Sequence, residues 1–382
     1  MDARKKTKVL FEQYAIPHYR VPFFNELAKK VDLVVIASKN PQKGGGVNDV
    51  RVTPGFRSIR LDADPSSGLY HPGIIDVIKS EAPEATISFG TSLRLMLRDA
   101  TFRSLLAERT TRLAWMGCDG YEVRNFAREA LFAFLPWRLV RNLRDFLAMR
   151  QIDQFIAYSS HTRDYWKRVK WIPSEKITVA HNAIDTSIVS EASRASREER
   201  KPGDPRGIIF VGRLVPRKNI ETLLSAVAKL SSPEATLTIV GEGPLEQDLK
   251  ALAKRLDIEE RVRFLGGIYD ERSLGTYLSQ STLFVLPGVG GLSLNTAMAA
   301  GLPIIHTFAD GTEKDLVMEG VNGWFFDGST GDLAKKIDRA LSDPAALSAM
   351  GEESKRRITE IFTLGKMVAA YLAAIEKMTQ AP

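Results

Sequence analysis

Cysteine and histidine are scarce in this chain of 382 residues, which has one cysteine, Cys118, and five histidines. A single cysteine excludes an intramolecular disulfide, and the scattered histidines leave no cluster with the ligand spacing of a zinc site. Long hydrophobic runs are also missing, since no apolar stretch approaches the roughly 20 residues of a membrane-spanning helix. The basic N-terminus lacks the apolar region and small-residue cleavage site of a secretion signal. These absences predict a globular protein of the reducing cytoplasm.

The composition describes a chain that can bury a large interior, with 44% hydrophobic and 26% charged residues. Its length favours two domains over one. The net charge of +7 is unevenly placed, because residues 1–200 carry 32 Lys and Arg against 23 Asp and Glu, while the remainder carries 21 against 23. A basic first half favours an anionic partner, either a membrane surface, a phosphorylated acceptor or nucleic acid. No nucleic-acid recognition module accompanies that charge, so we expect no nucleic-acid partner.

Short β-branched and apolar runs alternate with helical patterns along the whole chain. This alternation predicts an α/β fold with parallel sheets covered by helices on both faces. The first half has six predicted strands: Lys8–Phe11, Leu33–Ala37, Thr86–Phe89, Leu113–Met116, Phe155–Tyr158 and Ile177–Ala180. The second half has six more: Ile208–Val211, Leu237–Val240, Val262–Leu265, Leu283–Leu286, Pro303–Ile305 and Trp324–Phe326.

A charged segment, Thr186–Gly207, separates the two sets of strands and has few large apolar residues after Val189. We interpret it as an interdomain linker. The prediction is therefore a first domain over 1–190 and a second over 205–358, with a C-terminal helix at about 360–382 that packs back on the first. Two such doubly wound domains create a cleft where the carboxyl ends of both sheets meet, and ligands bind at such edges.

Two segments of the second half are suited to anions. The strand in IIFVGRLVPRK, Ile208–Lys218, ends at Gly212 and is followed at once by Arg213, Arg217 and Lys218. About 70 residues later, LFVLPGVGGLSLNTAMAAGLPII has a strand, a glycine-rich turn and a helical run, and such a turn presents unpaired N–H groups at a helix start. Together the two devices suggest a diphosphate site. The alternative is that the cations are solvated surface charges and the glycines form ordinary tight turns.

Six motifs in order carry a resemblance to a known family: ITVAHNAID, FVGRLVPRKNIETLLSA, IVGEGPL, VRFLGGI, AMAAGLPII and EGVNGWFF. On these motifs, which lie within residues 175–326, the chain resembles a family 4 glycosyltransferase of the GT-B fold. Such enzymes move a sugar from a nucleotide-sugar to an acceptor with retention of configuration. The resemblance implies two Rossmann-like domains that face each other across a cleft. The second would bind the donor and the first the acceptor.

The resemblance also assigns residues to the donor site. Arg213 and Lys218, beside Gly212, would bind the donor diphosphate and stabilise the charge of the departing nucleotide. Arg263–Gly267, which includes Gly266, would offer backbone groups to the nucleobase, and the helix start would complete the phosphate site with Gly290, Gly291 and Leu292. With these groups in place, such enzymes need no metal or cofactor. The one Asp-x-Asp sequence, Asp62-Ala63-Asp64, is interpreted as a solvated turn.

The chain departs from its family where two glutamates usually stand eight positions apart. Those positions are Gly288 and Thr296 here, and Thr296 can offer the ribose only a neutral hydrogen bond. The nearest carboxylates lie in the loop ADGTEKDLV: Asp310, Glu313 and Asp315. We expect this loop to meet the donor sugar in a branch-specific active site, with Glu313 in a catalytic role. The alternative is an inactive protein that only binds nucleotide-sugars.

Acceptor-side residues are predicted in the first domain. His18 and Arg20 follow the first strand, at the place where the family's N-terminal loop approaches the reacting centre, although a solvent-facing loop histidine is an equal alternative. Asp119 follows the strand LAWMG and can accept the proton of the acceptor hydroxyl. Retaining enzymes of this type also have the donor phosphate itself as a base, so the role of Asp119 stays open.

The run RNFAREALFAFLPWRLVRNLRDFLAMR, residues 124–150, mixes aromatic residues with arginines at helical spacing. This pattern suits an interfacial helix on an anionic membrane, or two amphipathic helices packed on the first sheet with solvated arginines. The prediction is a cytoplasmic glycosyltransferase, peripheral on the inner membrane face, that extends a glycan or lipid-linked acceptor in cell-surface polysaccharide or lipopolysaccharide assembly. Two alternatives remain: a nucleotide-sugar epimerase and a non-catalytic nucleotide-sugar-binding protein. The nucleotide, the sugar, the acceptor and the oligomeric state are not indicated by the sequence.

Overall fold

The computed structural model describes residues 5–41, 49–50, 55–64, 70–119, 147, 149–198 and 207–380. Their contacts divide the chain into two compact units. The first consists of Met1–Ile184 together with Leu364–Pro382, and the second is Asp185–Thr363. Each unit has its own parallel sheet and its own hydrophobic core. The α/β class predicted from the alternating pattern is confirmed.

The first unit has a seven-stranded parallel sheet in the order β3-β2-β1-β4-β5-β6-β7. Its strands are β1 Lys8–Glu12, β2 Asp32–Ser38, β3 Arg57–Leu61, β4 Ala85–Phe89, β5 Arg112–Gly117, β6 Gln154–Ala157 and β7 Ile177–Val179. Its described helices are α1 Val21–Ala28, α2 Ile74–Glu81, α3 Gly90–Met96, α4 Ala100–Ala107, α5 Ser160–Val169 and the C-terminal helix Leu364–Gln380. The strand order reverses between β1 and β4, and in such sheets ligands bind at the carboxyl ends of the strands where the order reverses.

All six strands predicted in this half are present, and β3 is an additional strand that the sequence analysis missed. Its sequence, RSIRL, contains two arginines and its residues are exposed or half-buried. It pairs only with β2 and forms the edge of the sheet. An edge strand with charged residues lacks the apolar run by which buried strands are recognised.

The C-terminal helix is part of the core of the first unit. Tyr371 is fully buried, with its ring 4.9 Å from that of Phe23 and 5.7 Å from that of Phe11. Among the described residues, one helical stretch, Pro344–Gln380, is long and apolar enough to cross a membrane by length and composition alone. Since Tyr371, Ala374 and Met378 of this stretch are buried in the protein core, we interpret its last part as a core helix.

The second unit has a six-stranded parallel sheet in the order β10-β9-β8-β11-β12-β13. The strands are β8 Gly207–Val211, β9 Thr236–Val240, β10 Val262–Phe264, β11 Leu283–Leu286, β12 Ile304–His306 and β13 Gly323–Phe325. The described helices are α6 Ser187–Glu198, α7 Ile220–Val227, α8 Glu246–Arg255, α9 Glu271–Ser279, α10 Ser293–Ala299, α11 Glu313–Leu316, α12 Thr330–Ser342 and α13 Pro344–Arg356. All six predicted strands are present. The order reverses between β8 and β11, so the loops after these two strands flank the expected ligand position.

The predicted linker is wrong over most of its described length, because residues 187–198 form helix α6 of the second unit. This helix packs on α9 through small residues, and the hydroxyl of Ser193 donates to the carbonyl of Gly275 at 2.9 Å. A Cβ atom on Gly275 would lie 2.9 Å from the Cβ of Ala192, so the two backbones approach closely. Small residues give a weak hydrophobic pattern, which is why this helix was mistaken for a linker.

Candidate functional site

The loop after β8 holds a lysine inside the second unit. Lys218 is 8% exposed, and its Nζ donates to the carbonyl oxygens of Val289 at 2.7 Å and Gly290 at 2.6 Å. The lysine chain passes beside Gly212, since a Cβ atom there would be in van der Waals contact with Cε of Lys218 at 3.4 Å. The alternative that Lys218 is a solvated surface charge is therefore wrong.

The same lysine has an altered proton affinity. Burial, together with the neighbouring charge of Arg217, lowers the pKa of Lys218 from 10.5 to about 8, while Asp310 acts in the opposite direction. Loss of hydration disfavours the ammonium form, and two carbonyl oxygens compensate only in part. Lys218 is therefore still mainly cationic near pH 7. An anion bound beside it would raise its pKa again.

The glycine-rich loop after β11 lies directly against the loop after β8. The amide of Val289 donates to the carbonyl of Arg217 at 2.9 Å, and this bond runs beside the two bonds from Lys218. The next glycine, Gly291, has a φ of 106°, and no atom lies within 4 Å of the position where its Cβ would be. The structure thus joins the two predicted anion-binding loops into one site with open space beside Gly291.

Helix α10 follows this loop and begins at Ser293. Leu292 caps the helix, and Thr296 is 9% exposed, with its hydroxyl donating to the carbonyl of Leu292 at 3.2 Å. The hydroxyl proton of Thr296 is therefore used inside the helix, and only the oxygen lone pairs remain for another group. Its predicted contact with the ribose stays a prediction.

The loop after β12 brings a histidine and two carboxylates beneath the glycine loop. His306 is fully buried, and its Nδ1 hydrogen-bonds to the carbonyl of Thr307. Asp310 accepts hydrogen bonds from the amide and the hydroxyl of Thr312, which fixes the turn. A Cβ atom on Gly290 would lie 3.2 Å from Nε2 of His306 and 3.4 Å from Oδ2 of Asp310. Sequence analysis gave His306 no role, although its position at the carboxyl end of a strand was a usable signal.

Glu313 lies inside the fold and not on the surface of this loop. It is 0% exposed, and its Oε1 accepts a hydrogen bond from the amide of Ala309 at 3.1 Å. Its Oε2 has no hydrogen-bond partner among the residues that the structure describes. Burial raises the pKa of Glu313 from 4.5 to about 7, and the negative charge of Asp310 acts in the same direction. In the structure Glu313 supports the loop from below, so its predicted role in turnover is still a prediction.

The third carboxylate of the loop, Asp315, lies in helix α11, and its backbone carbonyl accepts a hydrogen bond from Nη2 of Arg357 at 2.7 Å.

Gly266, in the loop after β10, has a φ of 70° and open space at its Cβ position. Its carbonyl accepts a hydrogen bond from the amide of Gly241 at 2.7 Å. A Cβ atom on Gly241 would lie 1.9 Å from the carbonyl oxygen of Gly212. Glycines therefore bring the loops after β8, β9 and β10 together.

The residues predicted on the acceptor side lie in the first unit and differ in exposure. His18 is exposed in a short 3-10 turn after β1. Arg20 is 6% exposed, and its guanidinium lies 5.5 Å from the ring centre of Phe23 and 3.6 Å from Sδ of Met367. Arg20 thus packs inside the first unit, and its predicted role toward the acceptor or a phosphate stays a prediction. A role for His18 toward the acceptor stays a prediction.

Asp119 accepts a hydrogen bond from Nε1 of Trp166 at 3.0 Å, and burial raises the pKa of this carboxyl. A raised pKa suits a proton acceptor, and no further observation links Asp119 to an acceptor hydroxyl.

Asp62 forms an exposed ion pair with Lys39 at 2.6 Å, as expected for a solvated turn. Among the described residues, no group of three or more His, Cys, Asp or Glu is placed to hold a metal ion.

A buried polar network in the first unit was also missed. Glu12 accepts from Ser88 and lies 2.8 Å from Nδ1 of His71, whose Nε2 is 2.9 Å from the hydroxyl of Ser38. The connection of serine, histidine and glutamate is that of a hydrolytic triad. Each of the four side chains has a hydrogen-bond partner within the network, so we interpret the network as structural.

Comparison with known proteins finds a similar family. Residues 192–357 match the model of the family described as glycosyl transferases group 1. In this part the chain is similar to that family. The group 1 match covers strands β8 to β13, and so includes the loops that hold Lys218, Gly290 and His306.

Curated proteins that are similar to this chain include enzymes named for phosphatidylinositol monomannoside and for the lipopolysaccharide core. The chain is 27% identical over 356 residues to the GDP-mannose-dependent alpha-(1-6)-phosphatidylinositol monomannoside mannosyltransferase of Mycolicibacterium smegmatis, with 88% of each chain covered. It is 29% identical over 212 residues to the lipopolysaccharide core biosynthesis glycosyltransferase LpsE of Rhizobium meliloti, covering 54% of this chain and 58% of that one. The chain spans 65% and 63% of the lengths of two uncharacterised glycosyltransferases that it also matches.

Solved structures show the same architecture. HepE from Anabaena, crystallised in complex with UDP, has a TM-score of 0.72 and 18% identity, with 97% of this chain and 100% of that chain covered. At this identity the likeness concerns the fold alone. The fold is GT-B, as the resemblance implied. The predicted interfacial segment, residues 124–150, lies mostly outside the described residues.

Proposed function

We propose that this chain transfers a sugar from a nucleotide-sugar donor to a glycan or lipid-linked acceptor, with retention of configuration. The single observation that carries the proposal is the buried ammonium of Lys218, bonded to the carbonyls of Val289 and Gly290 where the strand order reverses. A desolvated cation beside an open glycine loop favours a multiply charged anion over a neutral ligand. A nucleoside diphosphate fits this chemistry.

In the proposed reaction the protein mainly stabilises the negative charge on the leaving group, and no covalent bond to the protein is needed. When the bond between the sugar and the diphosphate breaks, negative charge develops on the departing phosphate oxygens. Lys218, already stripped of water, and Arg213, two residues after β8, would stabilise that charge without reorganisation of solvent. The donor phosphate would in turn raise the pKa of Lys218 from about 8, so the lysine would stay charged through the reaction.

The proposed acceptor is a lipid-linked glycan of the cell surface, such as a polysaccharide or lipopolysaccharide precursor. The relatives that are named for phosphatidylinositol monomannoside and for the lipopolysaccharide core support this choice. A surface of the first unit supports it as well: Trp171 is 52% exposed and lines one cavity with Arg150, Lys170 and Lys176. Leu147, three positions before Arg150, is 54% exposed. Exposed apolar residues among cations suit the inner face of an anionic membrane, to which the protein would bind peripherally from the cytoplasm.

The test is a panel of UDP-, GDP- and dTDP-sugars, scored for thermal stabilisation and for slow donor hydrolysis. We expect one nucleotide class to stabilise the protein, and Lys218→Ala to lose both responses. Lys254→Ala is the matched control, because Lys254 is an exposed lysine of α8 in the same unit. A lack of response to every donor would contradict the diphosphate site.

Two other functions remain distinguishable by product analysis. An epimerase would change the sugar of the donor without joining it to an acceptor. A nucleotide-sugar-binding protein would bind a donor without transfer or hydrolysis, and the glycine at position 288 and threonine at 296 are the observations that favour it. Transfer of radiolabelled sugar to a membrane fraction would exclude both.

A further inference from the structure

His306 has a ring nitrogen that nothing in the described fold satisfies. The side chain is 0% exposed at the end of β12, and its Nε2 has no hydrogen-bond partner among the described residues. Buried polar atoms are nearly always bonded, and an unbonded one costs stability. This atom lies at the carboxyl edge of the sheet, where ligands bind in this class of fold, and a bound group would satisfy it.

The tautomer of His306 is fixed by its other nitrogen. Nδ1 hydrogen-bonds to the carbonyl oxygen of Thr307, and because a carbonyl can only accept, Nδ1 must carry the proton. Burial lowers the pKa of His306 to about 4, so the ring is neutral at physiological pH. Nε2 then has a lone pair and no proton. It can accept a hydrogen bond but cannot donate one.

A second acceptor lies beside the first. The position that a Cβ atom would take on Gly290 is 3.2 Å from Nε2 of His306 and 3.4 Å from Oδ2 of Asp310, so both acceptors lie on the same side of Gly290. Asp310 holds its turn through Oδ1, which accepts from Thr312, so Oδ2 is the oxygen on the side of Gly290. Two acceptors side by side repel a phosphate and a carbonyl, and they favour a group with O–H donors.

The charges near His306 further restrict the chemical class of the ligand. The ammonium of Lys218 is bonded to the carbonyl of Gly290, the same residue that the two acceptors face. A metal cation at this place would be repelled by Lys218. A polyhydroxylated neutral group is compatible with all three neighbours, and it would lie next to the diphosphate that Lys218 is proposed to bind.

We propose that His306 and Asp310 form a hydrogen-bond-accepting subsite for hydroxyl groups of the donor sugar, with His306 as the residue that selects the sugar. This inference rests on the proposed function, since it needs a nucleotide-sugar in the second unit. In the family that the chain resembles, a glutamate at position 288 would contact the donor sugar, and glycine cannot. We assign that contact to His306 at the end of β12 instead. Because Nε2 can only accept a hydrogen bond, it would bond only to the sugar hydroxyl that points toward β12.

Two variants of His306 separate the sugar contact from the structural bond. His306→Asn keeps an N–H donor near the carbonyl of Thr307 and lacks the atom that corresponds to Nε2. His306→Gln places an amide oxygen near the Nε2 position, so it retains an acceptor. The measured quantity is the ratio of dissociation constants for a free nucleotide and its nucleotide-sugar, by calorimetry with UDP and UDP-glucose and with GDP and GDP-mannose.

We expect His306→Asn to reduce this ratio by about 3- to 10-fold, the effect of one neutral hydrogen bond, with the affinity for the free nucleotide unchanged. His306→Gln should restore part of the loss. Donor analogues that lack one hydroxyl give the second readout: one of them should bind the wild type more weakly than its parent, and His306→Asn should not distinguish the two.

An unchanged ratio in His306→Asn would overturn the inference, and so would an equal loss of affinity for the free nucleotide, which would show a structural role only. Equal discrimination of the deoxy analogue by both proteins would overturn it too. These outcomes leave the donor site intact. If the wild type binds no nucleotide-sugar at all, the proposed function itself fails, and the inference fails with it.

Discussion

A Cβ atom on Gly288 would lie 2.5 Å from the carbonyl carbon of Lys218 and 2.7 Å from its Cα. Real Cβ atoms do not approach backbone atoms this closely, so glycine at position 288 is a condition for the bonds that join the loops after β8 and β11. The glutamate that the family resemblance leads us to expect at this position is therefore incompatible with the present backbone. Its absence is a property of the fold and not simply the loss of a catalytic group.

Restoring a carboxylate at this position should therefore damage the protein. We expect Gly288→Glu to lower the free energy of unfolding by about 1–3 kcal/mol, since the backbone of residues 217–218 must move. Urea unfolding followed by circular dichroism would measure it. Gly331→Ala is the control, because no atom lies within 4 Å of its Cβ position, and it should be neutral or slightly stabilising. A Gly288→Glu protein of wild-type stability would contradict this account.

The affinity for a nucleoside diphosphate should depend on pH through Lys218. Its pKa is lowered to about 8 in the free protein, and only the protonated form attracts the phosphates. We expect the association constant for the nucleotide that binds best to be level between pH 6.5 and 7.5. Above pH 8 it should fall, at most tenfold per pH unit.

Lys218→Ala should bind more weakly at every pH and show no such fall, since the titrating group is gone. Calorimetric titrations of both proteins from pH 6.5 to 9.5 would decide the question. The same downward slope in the variant would assign the pH dependence to another group.

The buried carboxyl of Glu313 should reduce stability at high pH. Its folded-state pKa of about 7 lies above the ordinary value of 4.5, so the folded protein holds its proton more tightly than the unfolded chain does. The stabilisation is complete below pH 4.5 and is lost as pH rises through 7. Glu313→Gln should therefore be more stable than wild type at pH 8, by about 3 kcal/mol, with the difference shrinking as pH falls and vanishing below pH 4.5.

The same variant tests the predicted catalytic role, because Glu313→Gln should slow turnover in a protein that is fully folded. Unfolding midpoints at pH 5 and 8 and turnover at pH 8 can be measured on one preparation. Wild-type kinetics in this variant would restrict Glu313 to its structural role beneath the loop.

Anionic membranes should bind the first unit through the surface that includes Trp171. We expect co-sedimentation with phosphatidylglycerol vesicles that weakens as salt rises, and none with phosphatidylcholine vesicles. Replacing Lys170 and Trp171 together by Ser should reduce binding several-fold. Replacing Lys335 and Lys336 of α12 is the control for a general loss of charge. Equal sedimentation with both lipids, or with neither, would argue against the membrane proposal.

The strands of the site were predictable because they are buried on both faces, which gives continuous apolar runs such as IIFV and LFVL. The edge strand β3 and helix α6 were not, because one contains arginines and the other packs through Ala192 and Ser193. Arg213 and Lys218 were predicted from their position after a strand. His306 was overlooked, since a lone histidine in a sequence does not indicate whether both of its nitrogens have partners.

The sequence by itself determined the α/β class, twelve strands and the two loops suited to anions, because these depend on local patterns of apolar residues, glycines and charges. Only the tertiary structure decided which of these residues are brought close together in space. Lys218 bonds to Gly290, and Gly288 has no room for a side chain. Nε2 of His306 lies near Gly290 and has no partner within the part of the chain that the structure describes. These relations join residues 70 or more positions apart in some cases, and they arise from the order of strands in the sheet, which local sequence does not encode.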